Sequence, residues 1–162
     1  MGGLGHFEDP RTGVNVTNGD VDLVRPALPA LRAYQLSLDA PPPPPGSFDY
    51  DAVGRGRALF AGKAHCIGCH AGPKFTDANF TLHVVSGEVG EPEPDGAPSY
   101  AARSATGMYR TSPLRGVWQH PPYFHNGKAA TLQQVVEIYN QRKRLGLTPA
   151  EIADLAEYLK SL

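Results

Sequence analysis

Apolar residues recur at helical spacing in three parts of the chain. In LPALRAYQLSL, residues 28–38, Leu31, Tyr34 and Leu38 follow one another at intervals of three and four, and Pro29 suits a first turn. In TLQQVVEIY, residues 131–139, Leu132, Val135, Val136 and Tyr139 share a face, with Thr131 and Gln134 spaced as a capping box. In TPAEIADLAEYLKS, residues 148–161, the stripe is Ile152, Leu155, Tyr158 and Leu159; Thr148 caps, Pro149 opens the helix and Glu151 completes the box. Residues 51–65, DAVGRGRALFAGKAH, read as a further helix, with Gly56 and Phe60 four apart. The best strand candidate is the short FTLHVV at 80–85. These elements predict a mainly helical protein with long loops.

The segments between them suggest a division. Residues 1–20 are polar and glycine-rich, with TNGD at 17–20 as a turn signal, and are expected to be loop or disordered. The run DAPPPPPGSFD, residues 39–49, favours a stiff, extended linker and a domain boundary near residue 45; a proline-rich ligand for a binding module is a second reading. ALRAYQLSL at 30–38 can be laid over DLAEYLKSL at 154–162, so that Leu31, Tyr34, Ser37 and Leu38 match Leu155, Tyr158, Ser161 and Leu162. Residues 1–38 are therefore expected to be an extension or the tail of a preceding domain of the same kind, 39–49 the linker, and 50–162 the main domain.

Composition narrows the function. Hydrophobic residues make up 41% of the 162, enough for a core, but 18 glycines and 16 prolines imply much loop and a need for a staple. The formal net charge of -1, with no block of like charge, argues against a nucleic-acid partner, and no apolar run is long enough to cross a membrane. The start, MGGLGHFEDP, lacks the basic flank and apolar stretch of a secretion signal; the expectation is a signal already removed or a piece of a longer chain.

The chemistry centres on AHCIGCHAGP, residues 64–73, which holds both cysteines of the chain. A structural zinc site needs four nitrogen or sulfur ligands, usually as two close pairs, and His83, His120 and His125 lack that spacing. A thioredoxin-like dithiol needs a strand-to-helix turn in an α/β pattern, which is missing here. A disulfide across two residues is strained. Covalent haem attachment, C-x-x-C-H, accounts for every residue: Cys66 and Cys69 add to the two vinyl groups, and His70 ligates iron. The haem also provides the staple. Gly56 and Phe60 before the motif, facing Leu155 and Tyr158 of the final helix, would give a crossing that resembles the c-type cytochrome fold.

YRTSPLRGVWQHPPYFHNGKAATLQQVVEIYN, residues 109–140, resembles the C-terminal haem domain of bacterial dihaem cytochrome c peroxidases and of the related methylamine dehydrogenase maturation enzymes. With the motif and the final helix, the resemblance extends over roughly residues 50–162. It implies a class I-like cytochrome c fold whose distal ligand lies at the end of the Thr-Leu helix, methionine in the peroxidases and tyrosine in the maturation enzyme. The matching residue is Tyr139, fourteen after His125. Met108, the one interior methionine, is the other candidate, in the small-residue loop SATGMYRT. A histidine or an open position completes the alternatives. His125 is a candidate donor, ligand or base, set against simple bonding to loop backbone. Arg115 has the fork geometry to pair with a haem propionate, and Trp118 and Tyr123 are expected to wall the pocket. The family carries two haems and this chain one motif, matching the half that relays electrons.

The reading is an all-α cytochrome c domain binding one covalent haem c and transferring single electrons to a redox partner protein or a fused domain, in the periplasm or exported. The alternative is a peroxidase-like haem enzyme with an open or tyrosine-ligated iron.

Overall fold

The computed structural model describes residues 17–18, 21–22, 25–78, 80–84 and 108–162. Four α-helices carry the architecture: α1 (Leu28–Ser37), α2 (Tyr50–Ala61), α3 (Leu132–Lys143) and α4 (Pro149–Lys160). Among the described residues, strand is limited to two-residue pieces. Here β1 (Thr17–Asn18) pairs antiparallel with β2 (Val21–Asp22), and β3 (His83–Val84) pairs with β4 (Met108–Tyr109). The β1–β2 pair brackets the TNGD turn signal, where loop was expected; residues 19 and 20 lie outside the described residues. No helix among the described residues is long and apolar enough to cross a membrane.

The chain divides into two compact units, Met1–Ala40 and Pro41–Leu162. In the first, α1 buries none of its residues. In the second, α2 packs chiefly on α4, which also contacts α3. The N-terminus of α2 is fixed by Asp49, whose Oδ1 accepts from the backbone N–H groups of Asp51 and Ala52 at 2.9 and 3.3 Å. That satisfies two donors the first turn leaves over. Asp49 N–H in turn donates to Glu157 Oε2 of α4 at 2.8 Å. The helix stops at Ala61, short of the expected residue 65. Gly62, at φ -100 and ψ -107, leaves helical geometry, and Ala64 N–H turns back to Leu59 O at 2.9 Å.

The α2–α4 crossing needs a glycine. A Cβ on Gly56 would lie 2.8 Å from Tyr158 Cβ and would run into the Asp154 backbone carbonyl. One turn on, the Phe60 ring meets Tyr158 edge-on, with centroids 5.3 Å apart. Two ion pairs flank the contact: Arg55 to Asp154, with both nitrogen–oxygen distances at 2.7–2.8 Å, and Lys63 to Glu151 at 2.7 Å. The crossing expected from Gly56, Phe60, Leu155 and Tyr158 is thus present. Phe60, Leu132, Val136, Ile152, Leu155 and Tyr158 form the centre of the core. Burying each such side chain contributes on the order of 1.5–3 kcal/mol.

Thr148 and Glu151 form the full capping box on α4. On α3 the box is displaced: Thr131 Oγ1 accepts from Gln134 N–H at 3.2 Å, but Gln134 Oε1 accepts from Ala130 N–H at 2.7 Å. The α3 helix runs past Tyr139 to Lys143 and ends at Arg144, in left-handed geometry with φ +51. Asn140 then ties it to the next segment, its amide accepting from Leu147 N–H at 2.9 Å and donating to Leu147 O at 3.1 Å.

Candidate haem site

Cys66 opens a short 3-10 turn, Cys66–Gly68, directly after His65. The backbone wraps tightly: both Cys69 N–H and His70 N–H donate to Cys66 O, at 3.3 and 2.9 Å. One turn therefore carries both thiols and the imidazole. Neither cysteine is bridged to the other. Burial, and secondarily the neighbouring Cys69, pushes the Cys66 thiol up to about 11. It is held as a neutral thiol in an apolar setting.

His70 Nδ1 lies 3.0 Å from Phe75 O. A carbonyl only accepts, so Nδ1 carries the proton, and the neutral ring has its lone pair on Nε2. Burial lowers the His70 pKa against the opposing pull of the Phe75 carbonyl, the Asp77 carboxylate and the Ser112 carbonyl. That combination, a neutral imidazole with its tautomer fixed by a backbone carbonyl, is what an iron-ligating histidine requires. Phe75 does more than accept. Its ring meets Phe60 edge-on at 6.0 Å, and the Arg115 guanidinium lies over it at 5.3 Å. Arg115 Nε donates to Pro73 O at 3.1 Å. Nothing in the sequence pattern pointed to Phe75, because its role comes from a backbone oxygen.

Trp118 and Tyr123 are half-buried against the core. Both line an open groove with Pro121, Leu132 and Lys160; Cys66, Cys69 and His70 are not in its lining. Tyr123 N–H donates to Ala129 O at 2.7 Å, and burial raises its phenol pKa. Trp118 Nε1 is buried with no hydrogen-bond partner among the described residues. Leaving such a donor unsatisfied costs about 1–3 kcal/mol. An indole N–H of this kind suits an anionic ligand group such as a haem propionate.

The two distal candidates sit differently. Tyr139 is half-buried on α3 and its ring lies 5.9 Å from Phe124. Met108 is 38% exposed and pairs through its backbone with Val84; residues 104–107 of its loop lie outside the described residues. Its neighbour Tyr109 stacks on exposed His125, with centroids 5.1 Å apart. His120 is exposed. His83 is buried and its Nε2 lies 2.8 Å from Asp77 Oδ2. With Cys69 these two bring ligand-type atoms within 4.8 Å of one another, a grouping the sequence spacing concealed because β3 folds it together.

Backbone strain concentrates here. His65, Phe75 and Phe124 have φ of +51, +54 and +67, a region costly for side chains with a Cβ. They respectively precede Cys66, accept from His70 and contact Tyr139. Such strain persists only where surrounding structure holds it, and it clusters at functional sites.

A family model for cytochrome c matches residues 53–162. The chain belongs to the cytochrome c family. That membership implies covalently bound haem c, and the cytochrome's own residues fit it: paired thiols on one turn, an imidazole of fixed tautomer, apolar walls and an orphaned indole N–H. Cytochrome-c peroxidase IdrP1 of Denitromonas iodatirespirans is 31% identical, the match taking in 91% of this chain and 52% of that protein. Methylamine utilization protein MauG of Methylorubrum extorquens is 30% identical over 86% of this chain and 43% of that one. The cytochrome thus spans about half the length of these curated relatives. Among solved structures, a MauG-like protein associated with microbial copper homeostasis superposes with a TM-score of 0.56 at 27% identity, over 70% of this chain and 47% of that one.

Proposed function

We propose that this chain is a mono-haem c-type cytochrome that carries single electrons as a module of a larger or multi-partner redox system. The observation that carries the reading is that its two cysteines both lie in the one C-x-x-C-H motif, so the chain attaches one haem. Bound haem supplies a one-electron ferric–ferrous couple. Cys66 and Cys69 would hold it through thioethers and His70 would be the proximal ligand. The Phe75 carbonyl orients His70 and raises its basicity as a ligand. Arg115 and the Trp118 N–H offer charge and hydrogen bonding to propionates, and Phe60, Phe75 and Tyr123 exclude water. Tyr139 is assigned ahead of Met108 as the distal group, because α3 holds it half-buried. A tyrosine there would hold the potential below that of a methionine-ligated site. Thioether attachment belongs to oxidising compartments, which supports a periplasmic or exported location.

A second reading is a peroxidase-like enzyme, reducing hydrogen peroxide or oxidising a partner protein. The names of the relatives and the position of Tyr139 favour it. Against it stands the single motif, since two-electron peroxide reduction calls for a further redox centre.

Low-temperature EPR of the ferric protein, with and without cyanide, separates the two. A low-spin signal that cyanide leaves unchanged supports the electron carrier. A high-spin signal, or ready conversion by cyanide, moves the enzyme reading to first place.

A further inference from the structure

The carbonyl that fixes His70 belongs to a residue in unfavourable backbone geometry: Phe75 has φ +54, a region costly for a side chain with a Cβ. Within residues 71–78 the turn is closed by Phe75 N–H donating to Gly72 O at 3.1 Å and by Thr76 N–H donating to Ala71 O at 3.0 Å. Both bonds lie inside the turn and leave it free to relax as a unit. A strained residue needs surrounding structure to over-determine it.

The two residues after Phe75 supply that hold, and both reach the same small ladder. Thr76 Oγ1 donates to the backbone oxygen of Thr111, just beyond β4, and accepts from Ala78 N–H at 3.1 Å. Asp77 Oδ2 lies 2.8 Å from Nε2 of His83 in β3. A carboxylate only accepts, so His83 Nε2 carries the proton. Burial pushes the Asp77 carboxyl up, but hydrogen bonding from Thr111 and His83 outweighs it and leaves the carboxyl below its ordinary value. The Asp77 backbone oxygen is occupied as well, accepting from Phe80 N–H and Thr81 N–H at 2.8 and 3.0 Å. His83 is anchored at the far end: it is 9% exposed, and its backbone pairs with Tyr109 of β4. The pair also stands beside the haem attachment. Its ligand-type atoms lie within 4.8 Å of Cys69 Sγ, and the Asp77 carboxylate is close enough to raise the His70 pKa.

We propose that His83 and Asp77 are positioning residues for the iron centre: anchored in the β3–β4 ladder, they hold the Phe75 carbonyl on His70 Nδ1–H and thereby set how strongly His70 donates to iron. This goes beyond the electron-carrier reading and rests on its assignment of His70 as the proximal ligand. A ring whose Nδ1–H stays engaged is a stronger donor through Nε2, and stronger donation favours ferric iron. Loosening the pair frees the turn, weakens the bond to Phe75 O and weakens that donation. The charge of the pair acts with the opposite sign. Removing His83 leaves the Asp77 carboxylate less compensated near the haem, which favours ferric iron. The direction of the potential change therefore separates positioning from charge.

The test uses the haem-loaded full chain, with redox titration beside NMR of the ferric protein to follow the hyperfine-shifted His70 Nδ1–H. His83→Leu should raise the midpoint potential, displace that resonance and speed its exchange with solvent. His83→Gln, which keeps an N–H for Asp77, should return all three towards the parent. Thr76→Val cuts the neighbouring bond to Thr111 and is the milder change. It should move the readouts the same way by less, and it decides the matter where His83→Leu does not take up haem. A potential that falls in His83→Leu would overturn the proposal in favour of charge alone. An unchanged potential and resonance in a loaded His83→Leu or Thr76→Val, with only thermal stability lowered, would overturn it in favour of a purely structural tie. So would a rise that His83→Gln leaves in full. Failure of the underlying reading looks different: the parent itself would then lack the spectrum of a histidine-ligated haem c.

Discussion

Gly56 and Tyr158 meet so closely that a single added methyl group would sit 2.8 Å from the tyrosine Cβ. Two effects of Gly56→Ala oppose each other. Helix propensity favours alanine by about 1 kcal/mol. Steric overlap with a backbone carbonyl and a tertiary side chain costs about 1–3 kcal/mol, and backbone cannot rotate away. A net loss of stability is expected, seen as a lower denaturant midpoint with an unchanged slope. A variant as stable as the parent would mean that the helices separate without cost.

Trp118→Phe removes one N–H and keeps an apolar ring. If that N–H serves a haem propionate, the haem-loaded variant loses about 1.5–3 kcal/mol, the range for hydrogen bonds to charged groups. Its midpoint potential should also fall, because removing a donor leaves the carboxylate's negative charge less compensated and favours ferric iron. Loss of packing alone would lower stability and leave the potential in place. Redox titration beside thermal unfolding distinguishes them.

Tyr139→Phe and Met108→Leu assign the distal position. With Tyr139 as ligand, its loss changes the ferric absorption and EPR spectra and raises the potential, while Met108→Leu leaves both as they were. Spectra that respond only to Met108→Leu reverse the assignment, and spectra that respond to neither remove both residues from the iron.

Acid should weaken the α2–α4 contact. Hydrogen bonding from Lys63, and then from the Thr148 backbone, holds the Glu151 carboxyl below its ordinary value of 4.5. Arg55 does the same for Asp154. A carboxyl whose folded pKa is depressed stabilises fully above its unfolded pKa, and that contribution disappears as pH falls through the folded value. Stability should therefore decline as pH drops through 4.5 and below, and Glu151→Gln should flatten part of that decline. Unfolding midpoints measured across this range would show it; an identical acid limb in the variant would exclude the pair as a contributor. Both groups are solvated, so added salt should reduce the effect.

The sequence carries the fold where the physics is local. Caps and apolar periodicity located α1, α3 and α4 to within a few residues. The helix α2 ends four residues short of residue 65 because the escape at Gly62 depends on a turn back to Leu59. The α3 helix extends past Tyr139 through polar residues that carry no periodicity; its end depends on Arg144 and on the Asn140 clamp to Leu147. At the site, the motif was legible from spacing. The Phe75 carbonyl under His70 and the Asp77–His83 pair were not, since one is backbone and the other is assembled by β3 after the chain has turned.

The order in which the chain is made gives the Arg55–Asp154 and Lys63–Glu151 pairs a further meaning. Their acidic members follow their basic ones by 99 and 88 residues. During synthesis, α2 and the cysteine turn emerge long before α4. The charges and the Gly56 notch wait without partners, and the apolar flank around Cys66 stays open. Haem delivered in that interval would meet an accessible pair of thiols, and the arrival of α4 would close the site in one register, since sliding by one helical turn would break both pairs at once.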